Sequence, residues 1–421
     1  MCLKIDALVT DYLNQLNKPI NRFVIAYSGG LDSTVLFHML TKNPLPGIAL
    51  EAVHVNHQLS PNALVWQNHC EQQAKKHGVP CSTHQVSIGK SRHGYEAAAR
   101  EARYAILKQY AIKGTIILTA HHADDQVETV LGHIIRGCGI TGLTGIPALV
   151  RFSTGYLLRP LLNVSRAELE AYAKQYQLTY VTDESNFDVK YTRNIIRHQA
   201  VPFLQERFPT INQQILSLQK NAFEAEQLLN EYAAQLYQLC QVEQVDQLKI
   251  VPLAKLSSQQ QRLVLRFWLH EQNNLTNLTR AQLISLQNVM LNASSDSQPL
   301  ITFGQHCCRR FQQCLYITKK NMPETHNFVS RWNLSAPLQT PVGELDPELV
   351  KHALGLSAET TVEVRFRRGG ERIHPTDRVG SHPLKKCFQE WRIPPWLRSQ
   401  LPLIYYRKKL VMIYGVSIAL I

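Results

Sequence analysis

The chain of 421 residues lacks long apolar runs and paired cysteines. No segment of about 20 apolar residues occurs, so no membrane-spanning helix is expected. The nine cysteines are scattered and none has the CxxC spacing, which argues against a disulfide framework, a zinc ribbon or an iron-sulfur site. The amino-terminal residues contain no apolar segment that ends in small residues, so we expect no signal peptide and a cytoplasmic protein.

Acidic residues are also scarce relative to basic ones. The 45 Lys and Arg outnumber the 32 Asp and Glu, which leaves a net charge of +13. Residues 361–421 alone hold 12 Lys or Arg against 4 Asp or Glu, a net charge of +8. This excess favours a polyanionic partner such as nucleic acid, although an acidic protein or a membrane surface would also be attracted. For the C-terminal segment we predict salt-sensitive contact with an RNA backbone.

The length and the hydrophobic patterns predict three domains in an α/β chain. Residues 1–212 should form a doubly wound parallel-sheet domain, because short apolar runs alternate with amphipathic segments. Residues 213–325 are rich in Gln and Leu with apolar residues three and four apart, which predicts a helical middle domain. Residues 326–421 begin with a polar, Pro-containing segment and become strand-like, so we predict a small mixed α/β domain.

A glycine-containing turn follows the first predicted strand. It reads SGGLDS, from Ser28 to Ser33, and a helical pattern follows it. Two glycines permit a tight turn that brings backbone N–H groups close to an anion, and the serine hydroxyls and the helix N-terminus add to the attraction. The turn matches neither GxxxxGKS/T nor GxGxxG. It predicts a phosphate-binding loop, with an ordinary strand-to-helix turn as the alternative on these six residues alone.

Two predicted helices carry arginines on one face. Glu96, Arg100 and Arg103 are spaced i, i+4 and i+7, and Arg193 and Arg197 repeat the spacing of four. Guanidinium groups stay charged and bind phosphates through two hydrogen bonds, so these faces predict neutralisation of a triphosphate. The alternative is that Glu96 simply pairs with Arg100 on a solvated helix surface.

Carboxylates follow another predicted strand, residues 115–120. His121, His122, Asp124, Asp125 and Glu128 lie where the ligands of parallel sheets bind, at the carboxyl end of a strand. Carboxylate oxygens suit a Mg²⁺ ion shared with ATP phosphates. The spacing is not HExxH, so a zinc protease is not expected. Asp124 and Asp125 can also cap the next helix, and capping is compatible with a catalytic role.

These segments resemble the tRNA(Ile)-lysidine synthetase family of the PP-loop ATP pyrophosphatase superfamily. The SGGLDS turn is similar to the pyrophosphate loop of the superfamily. The segments similar to the family are residues 54–59, 96–104, 121–129, 159–162, 183–188, 193–197, 365–372 and 384–402. The resemblance covers residues 21–407 and is weakest in the helical middle region.

The resemblance implies a ligase that joins L-lysine to C2 of the wobble cytidine in an isoleucine tRNA with the anticodon CAU. In the first step, the C2 oxygen attacks the α-phosphorus of ATP, which gives an adenylated base and pyrophosphate. In the second step, the ε-amine of lysine attacks C2 and expels AMP, leaving lysidine. ATP and Mg²⁺ are therefore the implied co-substrate and ion, and a homodimer is left open.

The resemblance also assigns roles to residues. Those predicted to bind ATP are Ser28, Gly29, Gly30, Leu31, Asp32, Ser33, His54 and Asn56. Those predicted to be catalytic are Asp32, Asp124, Asp125, Arg100 and Arg197. Those predicted to position substrates or phosphates are Glu96, Arg103, His122, Glu128, Arg193 and Asn194. Asp32 and Asp125 should hold magnesium or the attacking ammonium, and the sequence does not divide these tasks.

Three other functions fit part of the sequence. A tRNA thiolase of the same superfamily would need cysteine or cluster chemistry, and the lack of a CxxC pair counts against it. A non-catalytic tRNA-binding protein would not need the glycine turn and the acidic segment together. A small-molecule ligase similar to argininosuccinate synthetase fits the turn but leaves the basic C-terminal segment unexplained.

Overall fold

A computed structural model describes residues 5–16, 18–58, 60–87, 95–182, 192–242, 247–272, 275, 278–294, 297–375 and 380–418. The chain divides into two compact units, Met1–Leu229 and Asn230–Ile421. Each unit contains hydrophobic clusters of its own. None of the described helices is both long and apolar enough to cross a membrane.

The first unit contains a six-stranded sheet. Its strands are β1 (Arg22–Ala26), β2 (Ala49–Asn56), β3 (Cys81–Gln85), β4 (Thr115–Leu118), β5 (Leu149–Phe152) and β6 (Gly155–Leu158). Their order is β3-β2-β1-β4-β6-β5, and all neighbours are parallel except β5, which pairs antiparallel with β6 at the edge. The strand order reverses direction between β1 and β4. The carboxyl ends of these strands therefore border the crevice where doubly wound sheets bind ligands.

Helices cover both faces of this sheet. They are α1 (Ile5–Gln15), α2 (Leu31–Lys42), α3 (Ala63–Lys76), α4 (Tyr95–Tyr110), α5 (Ala123–Ile135), α6 (Ile140–Leu143), α7 (Arg166–Gln175), α8 (Thr192–Ile195) and α9 (Val201–Arg207). Phe23 and Ile25 of β1 pack in one cluster with Val35 of α2, whereas Val24 packs on the other face with Leu107 of α4. This covering of both faces is typical of parallel sheets.

The boundary between the units falls within the long helix α10 (Ile211–Cys240). The second unit then continues with α11 (Ile250–Ala254), α12 (Ser258–Phe267), α13 (Arg280–Leu291), α14 (Pro347–Leu354) and α15 (Leu384–Glu390). The strands of its two larger sheets include β7 (Gln247–Lys249), β8 (Leu300–Phe303), β9 (His306–Phe311), β10 (Cys314–Lys319), β11 (Val329–Asn333), β14 (Thr361–Arg365), β17 (Leu403–Tyr406) and β18 (Lys409–Ile413). Its short strands are β12 (Leu338–Thr340), β13 (Gly343–Leu345), β15 (Arg372–Ile373), β16 (His382–Pro383) and β19 (Ser417–Ile418).

The described sheets of the second unit are antiparallel. Their orders are β7-β10-β9-β8, β11-β14-β17-β18-β19, β12-β13 and β15-β16. Val364 and Ile404 pack with Val350 of α14 on one face of the five-stranded sheet, and Leu403 packs with Phe388 of α15 on the other. The predicted α/β class is confirmed: a parallel N-terminal sheet, helices in the middle and a C-terminal region with antiparallel sheets. The four-stranded sheet β7-β10-β9-β8 was not indicated by the helical pattern.

Candidate functional site

A cavity of about 990 Å³ opens in the first unit, where β1, β2 and β4 end. It is lined by residues from segments that are far apart in the sequence. The residues assigned roles from the sequence that line it are Ser28, Gly30, Leu31, Asp32, Ser33, His54, Asn56, Arg103, His122, Asp124, Asp125, Glu128, Asn194 and Arg197. The predicted motifs therefore meet in one concave site at the carboxyl edge of the parallel sheet.

The glycine turn closes around its own backbone and hydroxyl groups. Gly29 has φ +82°, and a Cβ there would lie 2.8 Å from Sγ of Cys70, so this position requires glycine. Ser28 Oγ lies 3.0 Å from Ser33 Oγ, and Ser33 Oγ donates a hydrogen bond of 3.0 Å to the Gly30 carbonyl. Gly30 precedes α2, and among the described side chains none caps this helix start. The first N–H groups of α2 are therefore suited to an anion in the cavity.

His54 and Asn56 form a wall of the cavity at the end of β2. Both are buried, and His54 Nδ1 lies 2.9 Å from the Tyr27 carbonyl oxygen. Asn56 Nδ2 donates to Gln67 Oε1 at 3.0 Å, and its Oδ1 accepts from the Gln58 backbone N–H at 2.9 Å. Burial lowers the pKa of His54. Through these contacts, the two side chains fix the end of β2 and the segment that follows it.

Asp32 belongs to the glycine turn, and its carboxylate lies close to the guanidinium of Arg166 and the imidazole of His122. Its Oδ1 accepts a hydrogen bond of 2.6 Å from Arg166 Nη1, and its Oδ2 lies 3.7 Å from His122 Nε2. Burial raises the pKa of Asp32, although His122 and Arg166 oppose the shift.

Three carboxylates surround the imidazole of His122. Besides Asp32, Asp124 Oδ2 lies 3.5 Å from Nδ1 and Asp125 Oδ2 lies 3.6 Å from Nε2. Burial disfavours the charged imidazole, but these carboxylates outweigh it and raise the pKa of His122. The contact with His122 lowers the pKa of Asp124. Burial would raise the pKa of Asp125, but His122 and Arg193 outweigh it and lower that pKa.

Arg193 and Arg197 converge on two buried carboxylates of α5. The side chains of Asp125 and Glu128 are 9% and 4% exposed. Arg193 Nε donates to Glu128 Oε2 at 2.8 Å, and its Nη2 donates to Asp125. Arg197 contacts Glu128 Oε1 at 2.5 Å and Asp125 Oδ1 at 3.1 Å. The two arginines therefore share a face, as predicted, and that face binds protein carboxylates.

A π-helical turn, Ile196–Ala200, carries Arg197 between α8 and α9. Pro202 follows this turn and has no N–H for a hydrogen bond to the carbonyl four residues earlier. One residue before this proline, the Val201 N–H donates to the carbonyl of Ile196, five residues back, as in a π-helix. Single π turns occur frequently at functional sites. Here both Arg197 and the adjacent His198 line the cavity.

Three of the described residues that were assigned roles are not among those that line the cavity: Gly29, Arg100 and Arg193. Gly29 lies within the turn, against Cys70, and Arg193 contacts Asp125 and Glu128. Arg100 is exposed on α4, and its guanidinium carbon lies 4.8 Å from the ring centroid of Tyr104. The side chain of Glu96 and the predicted segment 183–188 lie outside the described residues.

The sequence motifs missed Arg166, which lines the cavity at the start of α7. The sequence did contain a signal for Arg166, namely its position at the start of a helix. The N-terminus of a helix carries partial positive charge, so an arginine at the first helical position is unfavourable unless an acidic group compensates. Ser165 and Glu168 already cap α7, so the helix does not require the Arg166 side chain for its start.

Models of known families match three successive parts of the chain. A PP-loop domain matches residues 3–204, a TilS substrate binding domain matches residues 248–316, and a TilS substrate C-terminal domain matches residues 362–420.

Curated relatives are similar over nearly the whole chain. The tRNA(Ile)-lysidine synthase of Coxiella burnetii is 36% identical over 410 residues, which cover 94% of this chain and 89% of that protein. The tRNA(Ile)-lysidine synthase of Vibrio cholerae serotype O1 is 36% identical over 422 residues, which cover 97% and 94%. A solved structure, the U34-tRNA thiolase NcsA from Methanococcus maripaludis, aligns at 16% identity and a TM-score of 0.44, covering 52% of this chain and 78% of that chain. A likeness of that size supports no functional conclusion.

Proposed function

The chain belongs to the tRNA(Ile)-lysidine synthase family, and from that premise we propose that it ligates L-lysine to C2 of the wobble cytidine in an isoleucine tRNA with the anticodon CAU. Its PP-loop domain makes it an ATP-utilising tRNA-modifying enzyme. The observation that carries the finer proposal is the cavity itself. A glycine turn, three carboxylates around one imidazole and the arginines Arg103, Arg166 and Arg197 surround a single space that can hold ATP and a reacting base.

We propose that the glycine turn binds the pyrophosphate portion of ATP. The hydroxyls of Ser28 and Ser33 and the uncapped N–H groups of α2 supply donors for phosphate oxygens. The wall formed by His54 and Asn56 would lie beside the adenosine. Because His54 Nδ1 and both polar atoms of the Asn56 side chain already bind the protein, this wall contributes mainly shape to the proposed adenosine site.

Magnesium is the ion implied by this use of ATP, and it would neutralise phosphate charge. Asp32 fits it best, because it lines the cavity beside the turn. Asp125 fits less well, since its Oδ1 is held by arginines and its Oδ2 accepts from the His122 backbone N–H at 3.0 Å. The described residues include no group of three or more His, Cys, Asp or Glu side chains suited to a metal ion. An ion that takes most of its ligands from phosphates and water is consistent with this donor set.

In the first step, the cytidine C2 oxygen would attack the α-phosphorus and pyrophosphate would leave. Negative charge then develops on the phosphate oxygens, and positive groups fixed in place stabilise it. Arg197 lies on the cavity wall and would serve this task, and Glu128 and Asp125 hold its guanidinium there.

In the second step, the lysine ε-amine must lose its proton before it attacks C2. With a pKa of about 10.4, deprotonation at pH 7 costs about 4.6 kcal/mol, from 3.4 units at 1.36 kcal/mol each. We propose that Asp124 holds the ammonium, because a lowered pKa keeps it charged. The proton would pass to this carboxylate, because Asp32 is assigned to the magnesium ion.

Two further features of the chain support this function. Residues 361–421 carry a net charge of +8, which suits the backbone of a tRNA. No cysteine lines the cavity in the described part of the chain, which disfavours a thiolase. An anticodon loop is unpaired, so its wobble base can leave the stack and enter a pocket.

The test is a multiple-turnover reaction of the purified protein with ATP, Mg²⁺, labelled lysine and a CAU-anticodon isoleucine tRNA, followed by nucleoside analysis. We expect labelled lysidine, together with pyrophosphate in amounts that depend on both tRNA and lysine. A tRNA with U in place of the wobble C is the control and should accept no lysine. Turnover of ATP that ignores lysine, with no lysidine formed, would contradict the proposal.

A further inference from the structure

Arg166 joins three acidic side chains of the first unit. Its Nη1 donates to Asp32 Oδ1 at 2.6 Å, its Nε donates to Glu170 Oε1 at 3.0 Å, and its backbone N–H donates to Asp124 Oδ2 at 2.8 Å. Asp32 and Asp124 line the cavity, as Arg166 itself does. Glu170 lies one helical turn further along α7 with its side chain 58% exposed. One arginine therefore bridges the cavity wall and the solvent-facing side of α7.

The charges around His122 explain why Asp32 needs this contact. Asp32, Asp124 and Asp125 approach one imidazole to between 3.5 and 3.7 Å. Arg193 and Arg197 compensate the charge of Asp125, but Asp32 and Asp124 share the single imidazole, and a triphosphate would add more negative charge. The guanidinium of Arg166 makes the shortest contact described for the Asp32 carboxylate. It therefore opposes the repulsion that would turn Asp32 away from its neighbours.

We propose that Arg166 is a positioning residue that holds the Asp32 carboxylate beside the glycine turn, where it receives the magnesium that accompanies ATP. The inference rests on the proposed function, because it assumes that Asp32 serves an ATP-bound ion. The contact fixes Oδ1 and leaves Oδ2 on the side of His122 and the cavity. Residues that orient a metal-binding carboxylate in this way commonly change metal affinity or activity by 10- to 100-fold.

The test measures the Mg²⁺ dependence of nucleotide binding without tRNA or lysine. The probe is α,β-methylene ATP, which the enzyme cannot cleave, and binding is followed by calorimetry over a series of Mg²⁺ concentrations. We expect Arg166→Ala to raise the half-saturating Mg²⁺ concentration by about tenfold. Arg166→Lys should recover part of this loss, because it keeps the charge but not the forked geometry.

Glu170→Gln is the matched control, because it removes the solvent-facing partner of Arg166 and leaves the contact with Asp32. We expect this variant to require the same Mg²⁺ concentration as the wild type. An unchanged Mg²⁺ requirement in Arg166→Ala overturns the proposal, and so does an equal increase in Arg166→Ala and Glu170→Gln. If Arg166→Ala does not fold, Arg166→Gln and Arg166→Lys decide the question by the same measurement.

A parallel assay of lysidine formation by the wild type separates the two proposals. If the wild type makes no lysidine but Arg166→Ala still shifts the Mg²⁺ requirement, lysine ligation is wrong and the role of Arg166 stands. If the wild type makes lysidine and the Mg²⁺ requirement does not shift, the role of Arg166 is wrong and the proposed function stands.

Discussion

The two units of the chain differ in where they keep their polar side chains. Among the described residues, most of the buried polar groups belong to the first unit, and seven of them line its cavity: Ser33, His54, Asn56, Thr119, His122, Asp125 and Glu128. The second unit buries Gln287, Arg310 and Thr325, and each of these bonds to nearby backbone or side chains. Buried charge is costly unless it is paired. Burying these charged groups costs the first unit free energy of folding, and the chemistry of its cavity explains why they are there. The second unit has a mostly apolar interior, and residues 361–421 give it a basic character.

Ion pairs of the same kind illustrate this difference. In the first unit, Arg197 binds Glu128, whose side chain is 4% exposed. In the second unit, Arg365 binds Glu363 on the same strand, where the Glu363 side chain is 30% exposed and water screens the charges. The same guanidinium–carboxylate contact should therefore contribute much more to the first unit than to the second.

The largest effect should come from Asp32→Asn, which removes charge from the cavity without changing its shape. We expect lysidine formation to fall by about 1000-fold or more, because the neutral amide no longer stabilises the transition state or the metal ion. Binding of tRNA should change little, since the basic surface of residues 361–421 is intact. Single-turnover lysidine assays and filter binding measure the two effects. Asp11→Asn, on the exposed side of α1, is the control. Wild-type turnover by Asp32→Asn would falsify the assignment of this residue.

The next effect should be on stability. Arg197→Met leaves Glu128 with one arginine fewer, so we expect the first unit to lose about 2 kcal/mol of unfolding free energy. Arg365→Met should cost the second unit less than about 1 kcal/mol. Native-state hydrogen exchange reports on the two units separately. Equal losses in the two variants would contradict the comparison.

A smaller effect should appear in tRNA binding. Lys385 and Lys386 are adjacent and exposed on α15, as Lys75 and Lys76 are on α3. Replacing the first pair with Ala should weaken tRNA binding by about tenfold and lower the slope of log affinity against log salt by about 1 for each phosphate that is no longer bound. The same change at Lys75 and Lys76 should alter neither quantity. A larger loss of affinity from the α3 pair would place the tRNA-binding surface in the first unit and would contradict this prediction.

The smallest effect should be a change in pH dependence. The carboxylates around His122 raise its pKa, so its contribution to stability is complete below the unfolded value of about 6.5 and is lost as the pH rises through the folded pKa. The stability difference between the wild type and His122→Gln should therefore be constant below about pH 6.5, down to about pH 5, and change above it. Hydrogen exchange of the first unit between about pH 5 and pH 9 measures this. A difference that does not vary with pH would show that His122 is not coupled to these carboxylates.

Much of the candidate site could be predicted from local patterns. The apolar runs placed the strands, and the polar residues after β1, β2 and β4 do line one cavity. This succeeded because parallel strands end at the same edge of a sheet, so residues at their carboxyl ends must be neighbours. The assigned roles of these residues stay predictions, and so do the boundaries of the three predicted domains.

Other features could not be predicted, because they depend on residues far apart in the sequence. Arg166 and Asp32 are separated by 134 positions, and no spacing rule connects them. The partners of Arg193 and Arg197 on α5 were not predictable for the same reason. In the middle region, β7 pairs with β10 from more than 60 residues away, and a strand of three residues has no pattern of its own.

The amino-acid sequence by itself determined the glycine turn, the parallel character of the N-terminal sheet and the basic character of the last 60 or so residues. Each of these follows from backbone sterics, hydrophobic periodicity or a sum of charges, which involve neighbouring residues or simple totals. Only the tertiary structure decided which carboxylate faces which cation, and therefore which acids around His122 have raised or lowered pKa values. Electrostatic interactions vary with distance and burial over a few ångströms, and long-range packing alone sets both.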